Sequence, residues 1–127
     1  MQLRLKDSLP FVALLIGYKG GTVKIADVLV DTGSASTIMS VDSLIDIGIE
    51  PSPEDVLHTI RGVGGVEVVY IRKVDFLEVG ESKITDFEIE VGGMDYGFEI
   101  NGILGMDFLK ASGAIINLHE MQISFSK

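Results

Sequence analysis

The chain has 127 residues, enough for one compact domain, which we expect to span residues 1–127. Apolar residues make up 46% of it, so it can bury a core, and no long polar tract indicates disorder. The absence of cysteine excludes disulfides and thiolate metal sites, and the formal net charge of -9 argues against a nucleic-acid partner, which normally meets a basic face.

The apolar run at 9–17 is the N-terminal segment that most resembles a targeting signal. It follows Arg4 and Lys6, but Asp7 interrupts the basic flank, and no small-residue cleavage site comes after it. A strand explains the run better, and nothing approaches the roughly 18 apolar residues of a membrane span. We therefore expect no membrane partner and a cytoplasmic location.

The first half of the chain predicts a hairpin and then a short helix. Glycines separate short apolar runs rich in Val, Ile and Phe, which is typical of strands joined by tight turns. Ser40 could cap the helix, and Gly48 could end it. The predicted elements are strands at 10–16 and 22–30, a turn at 17–21 and a helix at 41–47.

The second half predicts further strands and one more short helix. Two strands, at 56–60 and 66–79, flank a glycine-rich tip, and residues 84–91 alternate as a strand with one buried face does. The inward positions of that strand are Ile84, Phe87, Ile89 and Val91. The remaining elements are the apolar pair Ile103 and Leu104, a helical segment at 106–111, and strands at 114–118 and 122–125. The sequence thus predicts an all-β domain with one or two short helices.

The segment around Asp31 is the most informative about chemistry. Residues 28–35 read Val-Leu-Val-Asp-Thr-Gly-Ser-Ala, so Asp31 follows three apolar residues at the end of a buried strand, where the pKa of a carboxyl group can be perturbed. Gly33 allows a tight turn and the close approach of a substrate. Thr32 offers a hydroxyl and a backbone amide. Taken alone, an Asp-Thr-Gly triplet is also typical of ordinary turns.

Two further segments change the interpretation of Asp31. Residues 103–109 read Ile-Leu-Gly-Met-Asp-Phe-Leu, and residues 59–66 read Thr-Ile-Arg-Gly-Val-Gly-Gly-Val. Alone, the second of these would be a plain hairpin turn. In this order and spacing, the three segments together resemble the retropepsin-like aspartic proteases, and the resemblance covers roughly residues 10–125.

The resemblance implies a fold, a catalytic loop and a cleft. The fold would be a retropepsin-like closed barrel, equivalent to half of a two-lobed acid protease, in which the Ile-Leu-Gly segment packs behind the catalytic loop. Residues 59–66 would form a β-hairpin flap over bound peptide. The catalytic residues would be Asp31, Thr32 and Gly33. The implied substrate-binding residues are Ser34, Ala35, Arg61, Gly62, Val63, Gly64, Asn101 and Ile103.

An aspartic protease needs two carboxylates, and this chain supplies one. Asp31 is the only aspartate followed by Thr or Ser and then Gly. The simplest solution is a two-fold homodimer in which the Asp31 residues of two copies face each other. One carboxylate would activate a water while its protonated partner polarises the carbonyl of an extended peptide or protein substrate. This chemistry needs no metal, cofactor or covalent intermediate.

Several positions depart from the retroviral members of the family. Those members commonly have an Asp–Arg salt bridge where this chain has Ala35 and Met106, so both partners are missing together. With the Asp-Phe-Leu sequence at 107–109, this pattern looks more like the cellular and bacterial members. Ser34 stands where retroviral enzymes usually carry Ala. Its hydroxyl could donate to the outer oxygen of Asp31, which would favour the anion and shift the activity optimum toward acid. Asp107 is expected to cap or flank its short helix.

The alternative to an enzyme is a non-catalytic dimeric module that binds peptide or only dimerises. The intact triplet that begins at Asp31 argues against it, because two facing carboxylates would destabilise a mere scaffold at neutral pH. Arg61 could contact an acidic substrate residue or be a solvated hairpin charge. His58 and His119 lie far apart in the sequence, so we expect them at the surface rather than in a metal site.

Overall fold

The computed structural model describes residues 1–62, 65–93 and 99–126, and for 60–62 and 65–67 it describes the backbone alone. Most of the chain forms strands, so the prediction of an all-β domain is confirmed. The strands are β1 (Arg4–Lys6), β2 (Leu9–Tyr18), β3 (Gly21–Val30), β4 (Ile38–Ser40), β5 (Leu57–Gly62), β6 (Gly65–Val79), β7 (Ser82–Gly92), β8 (Gly102–Leu104), β9 (Ala114–Asn117) and β10 (Gln122–Phe125). The helices are α1 (Val41–Leu44), which a 3-10 turn at Ile45–Ile47 continues, and α2 (Met106–Ala111).

Eight strands form one sheet that closes on itself. Their order is β1-β2-β3-β8-β4-β7-β6-β5, and β2 pairs in addition with β6, for example at Ile16 and Leu77. The six strands β2, β3, β8, β4, β7 and β6 therefore make a ring, which is the closed barrel that the family resemblance implied. The pairing of β6 with β7 begins at Tyr70, so β5 and the first residues of β6 extend beyond the ring as a hairpin. β9 and β10 form a separate hairpin.

The main hydrophobic core lies on one face of this sheet. Phe87, Ile89 and Val91 of β7 point into it, as the alternation predicted, and Ile84 packs against it. Leu104 of β8 is fully buried in the same core. Each such side chain contributes about 1.5–3 kcal/mol through the apolar surface that it buries.

The short helix after β4 has the limits that its flanking residues predicted. The hydroxyl of Ser40 accepts a hydrogen bond from the Ser43 N–H at 3.3 Å, and Gly48 ends the segment with a left-handed φ of 82°. The helix is not uniform, because its last turn tightens to a 3-10 turn. Within the described ranges, no helix combines the length and the apolar character that a membrane crossing needs.

Candidate active site

Asp31 directly follows β3, where the ladder with β8 ends. β3 runs parallel to β8 with Val30 opposite Leu104, and the Asp31 N–H donates to the Leu104 carbonyl at 3.0 Å. Carboxylate oxygen Oδ1 of Asp31 accepts a hydrogen bond from the Gly33 N–H at 2.8 Å, and the Ser34 N–H donates to the Asp31 carbonyl at 3.2 Å. The turn therefore fixes the carboxylate while leaving it partly exposed to solvent.

The loop after Asp31 is bound to the start of α2 through its backbone. The Met106 N–H donates to the Ser34 carbonyl at 2.8 Å, and the Asp107 N–H donates to the Ala35 carbonyl at 3.2 Å. Ala35 and Met106 stand where retroviral relatives have a salt bridge. Here, main-chain hydrogen bonds join these two segments instead.

Gly105 allows the loop and the helix to approach this closely. A Cβ atom at position 105 would lie 2.2 Å from the Ser36 carbonyl oxygen and 3.0 Å from that of Ser34. Both neighbours are backbone atoms and cannot rotate away, so only glycine fits. The Ile-Leu-Gly segment thus lies behind the Asp31 loop, as the family resemblance implied.

A polar contact between the buried Thr37 and the partly buried Asp107 completes this junction. The Thr37 hydroxyl donates to Asp107 Oδ1 at 2.7 Å, and the Thr37 N–H donates to Oδ2 at 3.1 Å. The same hydroxyl accepts a hydrogen bond from the Gly105 N–H at 3.1 Å. Asp107 lies inside the first turn of α2, whose N-cap is Gly105, so the expectation that it caps or flanks the helix is wrong. Its link to Thr37 was not predicted either, because nothing in the sequence pairs two residues so far apart.

The hydroxyl of Ser34 makes a different contact from the one we expected. It donates to the Ser36 carbonyl at 2.8 Å. A hydroxyl group has a single hydrogen to donate, so in this arrangement it cannot also donate to the outer oxygen of Asp31. The expected acid shift of the activity optimum therefore loses its structural basis.

The other predicted residues of the Asp31 loop and β8 occupy two environments. Thr32, Gly33 and Ala35 are exposed in the turn, where a ligand could reach them. Ile103 is buried in β8, opposite Leu29 of β3.

Asn101 lies just before β8 and is held to the strand that leads into Asp31. Its side-chain amide donates to the Ala26 carbonyl at 2.8 Å, and its backbone N–H donates to the Asp27 carbonyl at 2.9 Å. Both partners are backbone groups near the end of β3. Asn101 therefore fixes the start of β8 beside the strand that carries the motif.

The predicted hairpin residues are only partly within the described structure. Arg61 and Gly62 belong to β5, with Gly62 opposite Gly65 of β6, and only their backbone is described. Val63 and Gly64 lie outside the described residues. The hairpin exists as predicted, and its role as a flap stays a prediction.

Both histidines are exposed, as expected, and one of them lies near a carboxylate. Nδ1 of His58, on β5, lies 3.6 Å from Oε2 of Glu90, on β7, an ion-pair distance that the sequence did not predict. His119 is exposed. Among the residues with described positions, no group of three or more His, Cys, Asp or Glu side chains could hold a metal ion.

Comparison with known proteins identifies one family. A family model described as aspartyl protease matches residues 17–108, which includes the Asp31 loop, the β5–β6 hairpin and the Ile-Leu-Gly segment. No curated protein matches the chain.

Proposed function

The chain belongs to the aspartyl protease family, as a retropepsin-like member, and from this premise we propose that it is an endopeptidase that works as a homodimer. Membership in this family supports peptidase activity in general. The proposal adds that Asp31 is the catalytic residue and that two copies of the chain build one active site.

The placement of Asp31 is the observation that supports this proposal best. Its carboxylate follows a buried strand, its Oδ1 is oriented by the Gly33 N–H at 2.8 Å, and the loop behind it is bound to β8 and α2. Such anchoring pre-organises a group for chemistry. The carboxylate is still partly exposed, so a second one can approach it.

Two copies are needed because the chemistry requires two carboxylates. Only Asp31 has the Asp-Thr-Gly context, so a two-fold axis beside it would supply the second. Two carboxylates about 3 Å apart cannot both ionise cheaply, and aspartic proteases are the established example of such a pair sharing one proton. The resulting pKa values belong to the pair and not to either residue.

The proton-sharing pair would hydrolyse a peptide bond without a covalent intermediate. The ionised carboxylate takes a proton from a water molecule, whose oxygen attacks the peptide carbonyl carbon. The protonated carboxyl group donates to the carbonyl oxygen as negative charge develops there. As the C–N bond breaks, the leaving amine takes up the proton that the first carboxylate removed from the water. The hydroxyl formed from the carbonyl oxygen returns its proton to the second carboxylate.

The substrate would lie as an extended strand between the Asp31 loop and the β5–β6 hairpin. Its main chain would form hydrogen bonds, and its side chains would alternate into pockets. The residues proposed to line this cleft are Thr32, Gly33, Ser34, Ala35, Arg61, Gly62, Val63, Gly64, Asn101 and Ile103.

The proposal is tested by digesting a mixed peptide library with wild-type protein and with Asp31→Asn, from pH 4 to pH 7, and reading the products by mass spectrometry. We expect Asp31→Asn to lower the cleavage rate by at least about 10³-fold, because it removes the shared proton and the base together. The wild-type rate should rise faster than linearly with protein concentration when the protein is dilute.

Each other outcome has a definite meaning. Cleavage that Asp31→Asn leaves intact would reject Asp31 as the catalytic residue. A rate proportional to protein concentration, for a species that sediments as a monomer, would reject the shared site. No cleavage by the wild type would favour the non-catalytic dimeric module.

A further inference from the structure

Glu90 is a buried charge on the side of β7 that faces away from the main core. Its neighbours Ile89 and Val91 point into that core, and side chains alternate along a strand, so Glu90 points the opposite way. Glu88 shares its side and is exposed, whereas Glu90 is only 9% exposed. Something other than the core must therefore cover Glu90.

Glu90 belongs to a row of residues that crosses the sheet on this second face. Leu29 of β3 lies opposite Ile103 of β8, Ile103 opposite Ile38 of β4, Ile38 opposite Glu90, and Glu90 opposite Ile71 of β6. Residues directly opposite one another share a face. The second face is therefore apolar along this row except at Glu90.

Asp31 is on the same face by the same rule. It follows Leu29 by two residues, so it continues the side of β3 that Leu29 occupies. Three strand spacings of about 4.8 Å separate β3 from β7, which places Glu90 roughly 14 Å across the sheet from the strand that carries Asp31. An extended peptide covers this distance with about four residues.

The groups that cover Glu90 belong to the two segments proposed to enclose the substrate. The hydroxyl of Ser36, in the loop after Asp31, donates to Glu90 Oε1. Nδ1 of His58, on the first strand of the hairpin, lies 3.6 Å from Glu90 Oε2. A residue that touches both the loop and the hairpin borders the space between them.

The carboxylate of Glu90 is incompletely paired within the described part of the chain. A buried carboxylate is costly unless it is paired and hydrogen-bonded. Of the basic side chains that the structure describes, only His58 comes within 4.0 Å of it, and 3.6 Å is too long for a hydrogen bond.

We propose that Glu90 forms a subsite that binds a lysine or arginine side chain of the substrate, within about four residues of the scissile bond. The inference rests on the proposed function and adds a substrate class to it. The partly exposed Ile71, opposite Glu90, contacts the aliphatic stem, and the Glu90 carboxylate binds the charged end. The net charge of -9 favours the approach of such peptides.

The test compares three proteins on two peptide sets. The proteins are wild type, Glu90→Gln, and Glu88→Gln, which removes the same charge from an exposed position two residues away on the same face. The first set contains peptides with one lysine at each position in turn. The second replaces that lysine with norleucine, which keeps the stem and removes the charge.

We expect wild type and Glu88→Gln to prefer lysine at one position near the scissile bond. Glu90→Gln should lower kcat/KM for those lysine peptides by about tenfold to a hundredfold, because a charge-assisted hydrogen bond is lost. Its effect on the norleucine peptides should be several times smaller. The proposal is overturned if wild type cleaves the lysine and norleucine peptides equally well. It is also overturned if Glu90→Gln retains the wild-type preference for lysine. The proposed protease function would stand in either case.

A binding measurement separates the two proposals if no peptide is cleaved. Asp31→Asn protein, with and without Glu90→Gln, is incubated with fluorescent forms of both peptide sets, and anisotropy is recorded. If lysine peptides bind more tightly than norleucine peptides, and only when Glu90 is present, the subsite proposal is supported although the protease function fails. Equal binding of both peptide sets would overturn the subsite proposal as well.

Discussion

Arg72 and Glu90 are charged side chains on opposite faces of the barrel sheet, and they differ in how completely their hydrogen-bonding groups are satisfied. Arg72 lies on the core side of β6, where its guanidinium donates to Asp55 Oδ1 at 2.8 Å, to the Glu50 carbonyl at 2.9 Å and to the Tyr18 hydroxyl at 3.3 Å. Glu90 lies on the opposite face of β7, with one hydroxyl donor and a histidine at 3.6 Å.

This difference separates a structural charge from a functional one. Two of the three partners of Arg72, Glu50 and Asp55, come from the segment just before β5, so Arg72 joins that segment to the barrel and has a charged partner of its own. Glu90 retains capacity for a ligand, and it lies on the face that carries Asp31. A charge that is buried with incomplete pairing is the better candidate for binding, since the chain has not itself compensated the cost of burial.

Substitutions at Ile103 and Leu104 should have the largest effects on activity and stability. The two effects should differ, because these neighbouring side chains point to opposite faces of the sheet. Leu104→Ala should lower the free energy of unfolding by about 2–5 kcal/mol, since Leu104 is fully buried in the main core. Ile103→Ala should cost less stability, because Ile103 packs in a small cluster with Phe11 and Ile100. It should instead lower kcat/KM about tenfold through lost contacts with substrate.

Urea denaturation and peptide cleavage, measured on both variants, decide this comparison. Equal losses of stability combined with equal specific activities of the folded fractions would mean that the two faces do not differ in role. A stable but weakly active Ile103→Ala protein would support the second face as the wall of the cleft.

The junction between Thr37 and Asp107 should give the next largest effect. Thr37→Val keeps the shape of the side chain but removes the hydroxyl that bonds Asp107 and the Gly105 N–H, leaving buried polar groups unsatisfied. We expect a loss of about 1–3 kcal/mol in the free energy of unfolding. Thr37→Ser keeps the hydroxyl, so it should cost only about 1 kcal/mol for the missing methyl group. If thermal unfolding showed Thr37→Ser to be less stable than Thr37→Val, the stabilising role of the Thr37 hydroxyl would be contradicted.

The sequence predicted the elements that have a local signal. Ser40 and Gly48 predicted the ends of a helical segment, because capping and a left-handed φ depend on residues only a few positions apart. The alternation of Phe87, Ile89 and Val91 predicted the core side of β7. The strands β1 and β4 were not predicted, since three residues are too few to show a period of two.

The residues of the candidate site could be predicted only where they belong to a sequence motif. Asp31 and its loop were found through the resemblance to a family, whereas the contacts of Glu90 with Ser36 and His58 join three distant parts of the chain. Ile103 and Leu104 also show why the second face was missed. A segment that is apolar on both sides does not alternate, so the pattern cannot tell the core from the cleft.

The Arg72 cluster predicts a pH dependence of the stability of the fold. The hydrogen bond from Arg72 holds the pKa of Asp55 below its ordinary value of 3.8. A carboxyl group with a lowered pKa stabilises the fold fully above its ordinary value, and this contribution is lost as the pH falls through the lower, folded-state pKa. The Tm difference between wild type and Asp55→Asn should therefore be constant, at a few degrees, from neutral pH to about pH 4–5, and shrink below that.

The control for this experiment is Asp46→Asn, at an exposed position on the 3-10 turn. It shows how much of the Tm difference comes from removing one negative charge from an acidic protein. A difference between wild type and Asp55→Asn that persists unchanged at pH 2 would mean that Arg72 does not need an ionised partner.

The smallest expected effect is that of removing the Ser34 hydroxyl. This substitution tests which side chains of the loop after Asp31 contact the Asp31 carboxylate and which contact Glu90. Because this hydroxyl donates to the Ser36 carbonyl at 2.8 Å, Ser34→Ala removes a contact within the loop and none to the Asp31 carboxylate. We expect the pH–rate profile for peptide cleavage to keep its position, with at most a modest loss of rate. Ser36→Ala, by contrast, removes the donor to Glu90 and should weaken the preference for lysine peptides. A shift of the profile toward higher pH in Ser34→Ala would show that the hydroxyl turns to Asp31 once a second copy and a substrate are in place, because losing a donor to the anion raises the pKa of the pair.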